Sequence, residues 1–137
     1  MKMPTKLRYG LRFMANIAEY YGRNELISIS HIAEEEQISN KYLEQIISSF
    51  VKAGFIKGNR GKGGGYKLIK DPKKISIYDI SSALGEDMTF VPCVRGVKNC
   101  YRKAKKRCAV GDFWHEMSDQ VVDLMKNRSL NDLLVKN

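Results

Sequence analysis

The clearest apolar period lies in the middle of the chain. Leu43, Ile46, Ile47, Phe50 and Val51 fall at i, i+3, i+4, i+7 and i+8, which is one face of a helix. Asn40, Lys41, Glu44, Gln45 and Ser48 fall on the other face. Ser39 stands where such a helix is capped, and Gly54 follows the last apolar residue as a stop. Ahead of it, Ser30 can cap a shorter helix carrying Ile32 and Ala33, and Gln37-Ile38-Ser39 breaks the two apart. Behind it the period shortens. Phe55-Ile56-Lys57 and Tyr66-Lys67-Leu68-Ile69 read as two short strands around a glycine-loaded tip, Gly58 to Gly65. Helix, turn, helix and hairpin in this order make a winged helix, an arrangement that sets a helix in a DNA groove.

The flanks carry weaker patterns. Thr5 can cap a first helix running to about Tyr21, with Leu7, Leu11, Met14, Ala18 and Tyr21 in a stripe and Ile17 beside it. Leu26-Ile27-Ser28-Ile29 reads as a linking strand. After the hairpin, Asp71-Pro72 makes a turn. Ser76 and Asp79 form a capping box for a short helix over Ile77, Ile80, Ala83 and Leu84, which Gly85 closes. From Glu86 to Val110 no period persists. A helical pattern returns from about Asp112 to Lys126, with Phe113, Met117, Val121 and Leu124 in line and Trp114 and Met125 flanking. Residues 1–85 already suffice for a small core, so burying this helix against a second copy of the chain is the economical arrangement. Ser129 and Asp132 open another capping box, for a short helix expected to fold back on its own or the partner's wing domain. The expected fold is mainly α with a small β-hairpin wing. Its units are a winged helix-turn-helix over 1–85, a loop over 86–111, and a dimerisation helix with a short terminal helix over 112–137.

Charge sharpens the functional reading. The 137 residues carry a formal net charge of +9, which points to a polyanion, with nucleic acid ahead of a membrane surface. Lys57, Arg60, Lys62, Lys67 and Lys70 lie on the hairpin with no acid between Gly54 and Lys70. Glycine for clearance and cations for charge suit a phosphate backbone. Lys6, Arg8 and Arg12 lie off the apolar stripe near the start of the first helix, where they can reach phosphates or solvent. No apolar run approaches the roughly 18 residues of a membrane span, and Met1 to Thr5 leads into an amphipathic pattern rather than a signal peptide. A cytoplasmic location is expected. Nothing supports an enzyme. There is no Ser/His/Asp set, and the glycines at 61–65 lack the strand-to-helix setting of a nucleotide loop.

The aperiodic loop holds all three cysteines, Cys93, Cys100 and Cys108, at spacing C-x6-C-x7-C. Seven cations (Arg95, Lys98, Arg102, Lys103, Lys105, Lys106 and Arg107) and no acid lie among them, and cations favour the thiolate that binds metal. Three thiolates with a further ligand suit an iron–sulfur cluster. The tight knuckles of structural zinc are absent. A metal-free thiol sensor, zinc and a loop without function stay open on spacing alone.

Several of these stretches together resemble a known family. Lys6-x-Arg8-Tyr9-Gly10-Leu11-Arg12, the run Ile38 to Ile46 with its Tyr42-Leu43-Glu44-Gln45, and Ala53 to Leu68 with Arg60-Gly61-x-Gly63-Gly64-Gly65-Tyr66 resemble the Rrf2 family of bacterial winged-helix regulators, the IscR, NsrR and CymR type. So do three cysteines ahead of Asp112-x-Trp114 and the closing Ser129-Leu130-x-Asp132-Leu133. The resemblance implies a homodimeric transcriptional regulator on double-stranded DNA. It places Ser39, Lys41, Tyr42, Glu44 and Gln45 at bases or phosphates of the major groove and Arg60 in the minor groove, a DNA-binding set to which the charge and helix pattern adds Asn40 on the same helix, Lys62 on the wing and Arg8 on the first helix. It also implies a cluster held by Cys93, Cys100 and Cys108, 2Fe-2S ahead of 4Fe-4S, that purified protein can lack. Its signal would be iron–sulfur status, redox or nitric oxide. The IscR type adds a histidine three residues beyond the last cysteine, and that position here is Gly111. The NsrR type adds an aspartate from near the partner's N-terminus, and the aligned residue here is Arg8. His115, Asp112, a small thiol, a water or another partner residue are the candidates for a fourth ligand. The CymR type lacks the cysteine triad, so the alternative is a cluster-free regulator acting through thiol chemistry or a partner protein.

Overall fold

A computed structural model describes residues 2–59, 63–88, 90–95 and 108–134; Arg60, Lys62 and Cys100 lie outside them. The described chain forms α1 (Thr5–Ala18), α2 (Ile29–Glu36), α3 (Asn40–Lys52), β1 (Ile56–Asn59), β2 (Gly65–Leu68), α4 (Ile77–Ala83) and α5 (Gly111–Asn127). Short 3-10 turns add Pro72–Lys74, Pro92–Arg95 and Leu130–Leu133. This is the expected winged helix, mainly α with one antiparallel hairpin. No helix among the described residues is long and apolar enough to cross a membrane.

The core gathers around α1 and α3. Phe13, Met14, Ile17, Leu43, Ile46 and Phe50 are fully or almost fully buried, and Phe13, Phe50 and Phe55 stack with centroids 5.9 and 6.3 Å apart. The α1 stripe differs from the expected one. Leu7, Gly10, Phe13, Met14, Ile17 and Ala18 are buried, Leu11 is half-buried and Tyr21 is exposed. α1 packs against α2, α3, α4, β2 and the C-terminal turn, so more than one of its faces is covered. It also ends at Ala18, and Tyr21 belongs to the turn that leads to Gly22. Pro4, not Thr5, is its N-cap, and no side chain caps it there. On α3 the expected face is right except at its end, where Val51 is exposed.

The cap of α2 is Ser28, whose hydroxyl accepts from the His31 backbone N–H; Ser30 lies inside the helix. The cause is tertiary. Ile27 and Tyr66 exchange backbone hydrogen bonds of 2.8 Å each, which hold the chain extended up to Ile27. Ser28 is then the first residue free to cap. This bridge is all that remains of the expected linking strand. It also explains Gly65, because a Cβ there would lie 2.5 Å from the Ile27 carbonyl oxygen.

The hairpin pairs Ile56 with Leu68, Lys57 with Lys67, Gly58 with Tyr66 and Asn59 with Gly65. Phe55 precedes β1 and Ile69, which is exposed, follows β2. The Ser76–Asp79 and Ser129–Asp132 capping boxes both form. The second seats Leu130, fully buried, in the main core, so the C-terminal turn folds onto its own wing domain. α5 packs on α4 and on the Pro92–Arg95 turn but buries only Ser118 and Met125. Met117 and Val121 are half-buried, and Phe113 and Leu124 are each 57% exposed.

Candidate nucleic-acid interface

The geometry of α3 follows from its two-sided sequence. Burial of Leu43, Ile46, Ile47 and Phe50 fixes the rotation of the helix and turns Asn40, Lys41, Glu44 and Gln45 to solvent. None of these four side chains makes an ion pair or a hydrogen bond with another of the described residues. Ser39 and Tyr42 are different. The Ser39 hydroxyl accepts from the Tyr42 backbone N–H at 3.2 Å and is the helix cap. The half-buried Tyr42 ring meets Tyr9 edge-on, with centroids 5.5 Å apart and planes at 89°. Ser39 and Tyr42 therefore build the start of the helix, while the other four are presented by it.

The cations of α1 divide as well. Arg8 and Arg12 both lie over the Tyr9 ring, with Cζ 5.7 and 5.5 Å from its centroid. Arg12 also reaches α2: its Nε lies 3.1 Å from Glu36 Oε2 and its Nη2 donates to the Glu36 carbonyl oxygen. Arg8 has no such carboxylate among the described residues and is exposed. Next to this pair, buried Asn16 donates through Nδ2 to Glu35 at 2.7 Å and Glu36 at 3.0 Å, and Glu35 meets His31 at 3.2 Å. The sequence shows Tyr9 and Arg12 only as members of an amphipathic helix. Arg12 and Glu36 are 24 positions apart, a separation with no local signature.

On the hairpin, Lys57 stands directly opposite Lys67. Like charges in a cross-strand pair weaken a hairpin, and this pair concentrates positive charge on the wing. Lys70 lies over the Phe55 ring at 5.4 Å. The tip with Arg60 and Lys62 falls outside the described residues.

Two of the three cysteines can be located. Cys93 is half-buried in the turn that packs on α5; Cys108 is half-buried just before α5, and its carbonyl accepts from Gly111 N–H at 3.0 Å. A Cβ on Gly111 would stand 3.5 Å from the Cys108 Cβ, so position 111 faces the last cysteine. His115, exposed, follows one helical turn later, and Asp112 is exposed in the first turn of α5. Among the described residues no three His, Cys, Asp or Glu side chains come together as a metal site.

Comparison with known proteins agrees with this geometry. A family model described as Rrf2, iron-dependent transcriptional regulator, matches residues 3–136. The transcriptional regulator IscR of Vibrio parahaemolyticus is 32% identical over 137 residues, which span 100% of this chain and 79% of that protein. Among solved structures, CymR, the global cysteine regulator of B. subtilis, superposes with a TM-score of 0.81 at 31% identity, covering 97% of this chain and 95% of that one. IscR of T. potens gives 0.76 at 29% identity, over 97% and 85%.

Proposed function

The chain belongs to the Rrf2 family of iron-dependent transcriptional regulators, and we propose that it acts as a homodimer that reads duplex DNA through α3 and takes its input at the cysteine loop. It is a transcriptional regulator and not an enzyme. The observation that carries the DNA reading is the division of α3: one face is sealed in the core, and Asn40, Lys41, Glu44 and Gln45 stand uncovered on the other. Gln45 can pair with adenine and Glu44 can accept from cytosine, while Lys41 and Arg8 suit phosphates. Arg60 is assigned to the minor groove on the family pattern, and Lys62 joins it as a wing cation. The apolar stripe of α5 supports the dimer. Phe113, whose ring meets Trp114 with centroids 5.2 Å apart, and Leu124 each stay 57% exposed within the described chain, and a second α5 would cover them.

We assign the input to residues 86–111, between a DNA-reading unit over 1–85 and residues 112–137, whose helix serves the dimer and whose terminal turn packs back on the DNA-reading unit. The donors fit an iron–sulfur cluster in kind, with thiols at Cys93, Cys100 and Cys108 among cations that favour thiolates. Position 111 faces Cys108 but, as glycine, offers no fourth ligand. His115 is one turn further along the same side of α5, which puts it ahead of Asp112 as the donor. A bound cluster would supply a centre sensitive to redox state and nitric oxide. The protein's part is mechanical. The loop runs directly into α5, so a change in the loop shifts the dimer helix and the spacing of the two α3 helices. About 1–2 Å is enough to move them off half-sites one helical turn apart. Gel-shift titration of apo and anaerobically reconstituted protein on the upstream region of its own gene tests the scheme. The two forms are expected to differ in affinity by about 5- to 150-fold; equal affinity removes the sensing role.

Gly111 and the likeness to CymR also support a second reading, a cluster-free regulator acting through thiols or a partner protein. Colourless anaerobic protein without iron or sulfide selects it.

A further inference from the structure

We infer that Arg12 and Tyr9 are positioning residues that fix the recognition helix from α1, and that Arg12 does not contact DNA. The inference rests on the reading of α3 as the DNA-reading helix. It goes beyond that reading in giving two residues of α1 opposite roles, with Arg8 as a phosphate contact and Arg12 as a strut.

The turn between α2 and α3 spans Gln37 to Ser39 and leads into the exposed start of α3, while the buried face of the helix fixes its rotation. Gln37 adopts a left-handed conformation, φ 56°, which a non-glycine residue rarely takes. Both ends of this turn are held by α1. On the α2 side, Arg12 pairs with the Glu36 carboxylate and donates to its carbonyl. That carbonyl is one of the last in α2, which lack partners within the helix. On the α3 side, the Tyr9 ring packs edge-on against Tyr42, whose backbone N–H is bonded to the cap Ser39. Tyr9 and Arg12 are three residues apart on α1, hence neighbours on its surface, and the Arg12 guanidinium lies over the Tyr9 ring. Glu36, Arg12, Tyr9, Tyr42 and Ser39 thus form one chain of contacts around the turn. The guanidinium of Arg12 meets carboxylate, carbonyl and ring through Nε, Nη2 and its face, while its side chain stays 45% exposed. Arg8 touches the same ring and, among the described residues, has no carboxylate.

Salt dependence separates the two roles, because removing one bound phosphate lowers the slope of log K against log salt by about 0.9. The probe is a fluorescent duplex recovered from a random pool by the wild-type protein, read by anisotropy. Circular dichroism and titration of the active fraction confirm that each variant is folded. Arg8→Ala is expected to weaken binding and to reduce the slope by about one per subunit. Arg12→Ala is expected to weaken binding by about two- to fivefold, the scale of an exposed ion pair, with the slope unchanged. Glu36→Gln, which loosens Arg12 without touching its charge, is expected to weaken binding modestly. If Arg12 were a phosphate contact, Arg12→Ala would lower the slope by about one per subunit, and that result overturns the inference. Unchanged affinity in Arg12→Ala alongside weakened binding in Lys41→Ala and Gln45→Ala overturns the inference alone. Unchanged affinity in all three overturns the reading of α3 beneath it.

Discussion

At the scale of single residues, Asn16 shows how much a position can depend on what surrounds it. Its amide lies on a mostly buried part of α1 and donates to two carboxylates, Glu35 and Glu36. Aspartate at 16 would have nearly the same shape but would remove both donors and set a third negative charge against the pair. Asn16→Asp is expected to lower the unfolding free energy by about 2–4 kcal/mol at neutral pH, measured by urea denaturation. The sign of its pH dependence follows. The neighbouring carboxylates hold the new carboxyl above its unfolded pKa, so the folded state binds the extra proton more readily. The deficit relative to wild type is therefore greatest at neutral pH and narrows as pH falls into the carboxylate range. The sequence does not single out Asn16, because nothing within four residues explains an asparagine on an apolar helix face.

At the scale of elements, α5 has to do two things at once. Its first turn borders the cysteine loop, and its outer stripe, with Phe113 and Leu124 exposed, is the surface proposed for a second copy. Gly111 marks the first task. Because position 111 faces Cys108, Gly111→His restores a nitrogen donor where the IscR type carries one, and it also removes a flexible residue from the helix start. Anaerobically reconstituted Gly111→His is expected to retain more iron and sulfide per chain than wild type, with stronger visible absorption. An unchanged metal content would argue for a fourth ligand outside α5 or for no cluster. The cysteine spacing and the absence of a histidine three residues beyond Cys108 were both legible in the sequence. That a side chain at 111 would face Cys108 was not, because it depends on where α5 begins. The two capping boxes behaved differently. Ser76–Asp79 and Ser129–Asp132 were legible and formed, since each closes within four residues.

At the scale of the whole molecule, net charge and exposed apolar surface work together. A chain at +9 repels its own copies, so self-association needs a specific apolar contact. The α5 stripe is the feature suited to provide it. Leu124→Asp is expected to shift the protein from dimer to monomer in sedimentation velocity and to weaken operator binding by more than about tenfold, because the two half-sites then bind independently. Leu124 is 57% exposed, so monomer stability should change by no more than about 0.5 kcal/mol. A dimer that survives the change would place the interface elsewhere.

The sequence by itself determined the main helices, the hairpin and their order. The 3.6 and 2 residue periods, the serine caps at 39, 76 and 129 and the glycine stops at 54 and 85 all act through groups a few residues apart, so they can be read without knowing the fold. The tertiary structure decided which of those elements share neighbours. The bridge from Ile27 to Tyr66 moved the α2 cap to Ser28, and packing on several sides brought Gly10 and Phe13 of α1 into the core. The reach of Arg12 to Glu36 separated one α1 cation from another of the same chemistry. Such contacts join residues tens of positions apart, and their free energy exists only once the chain has packed.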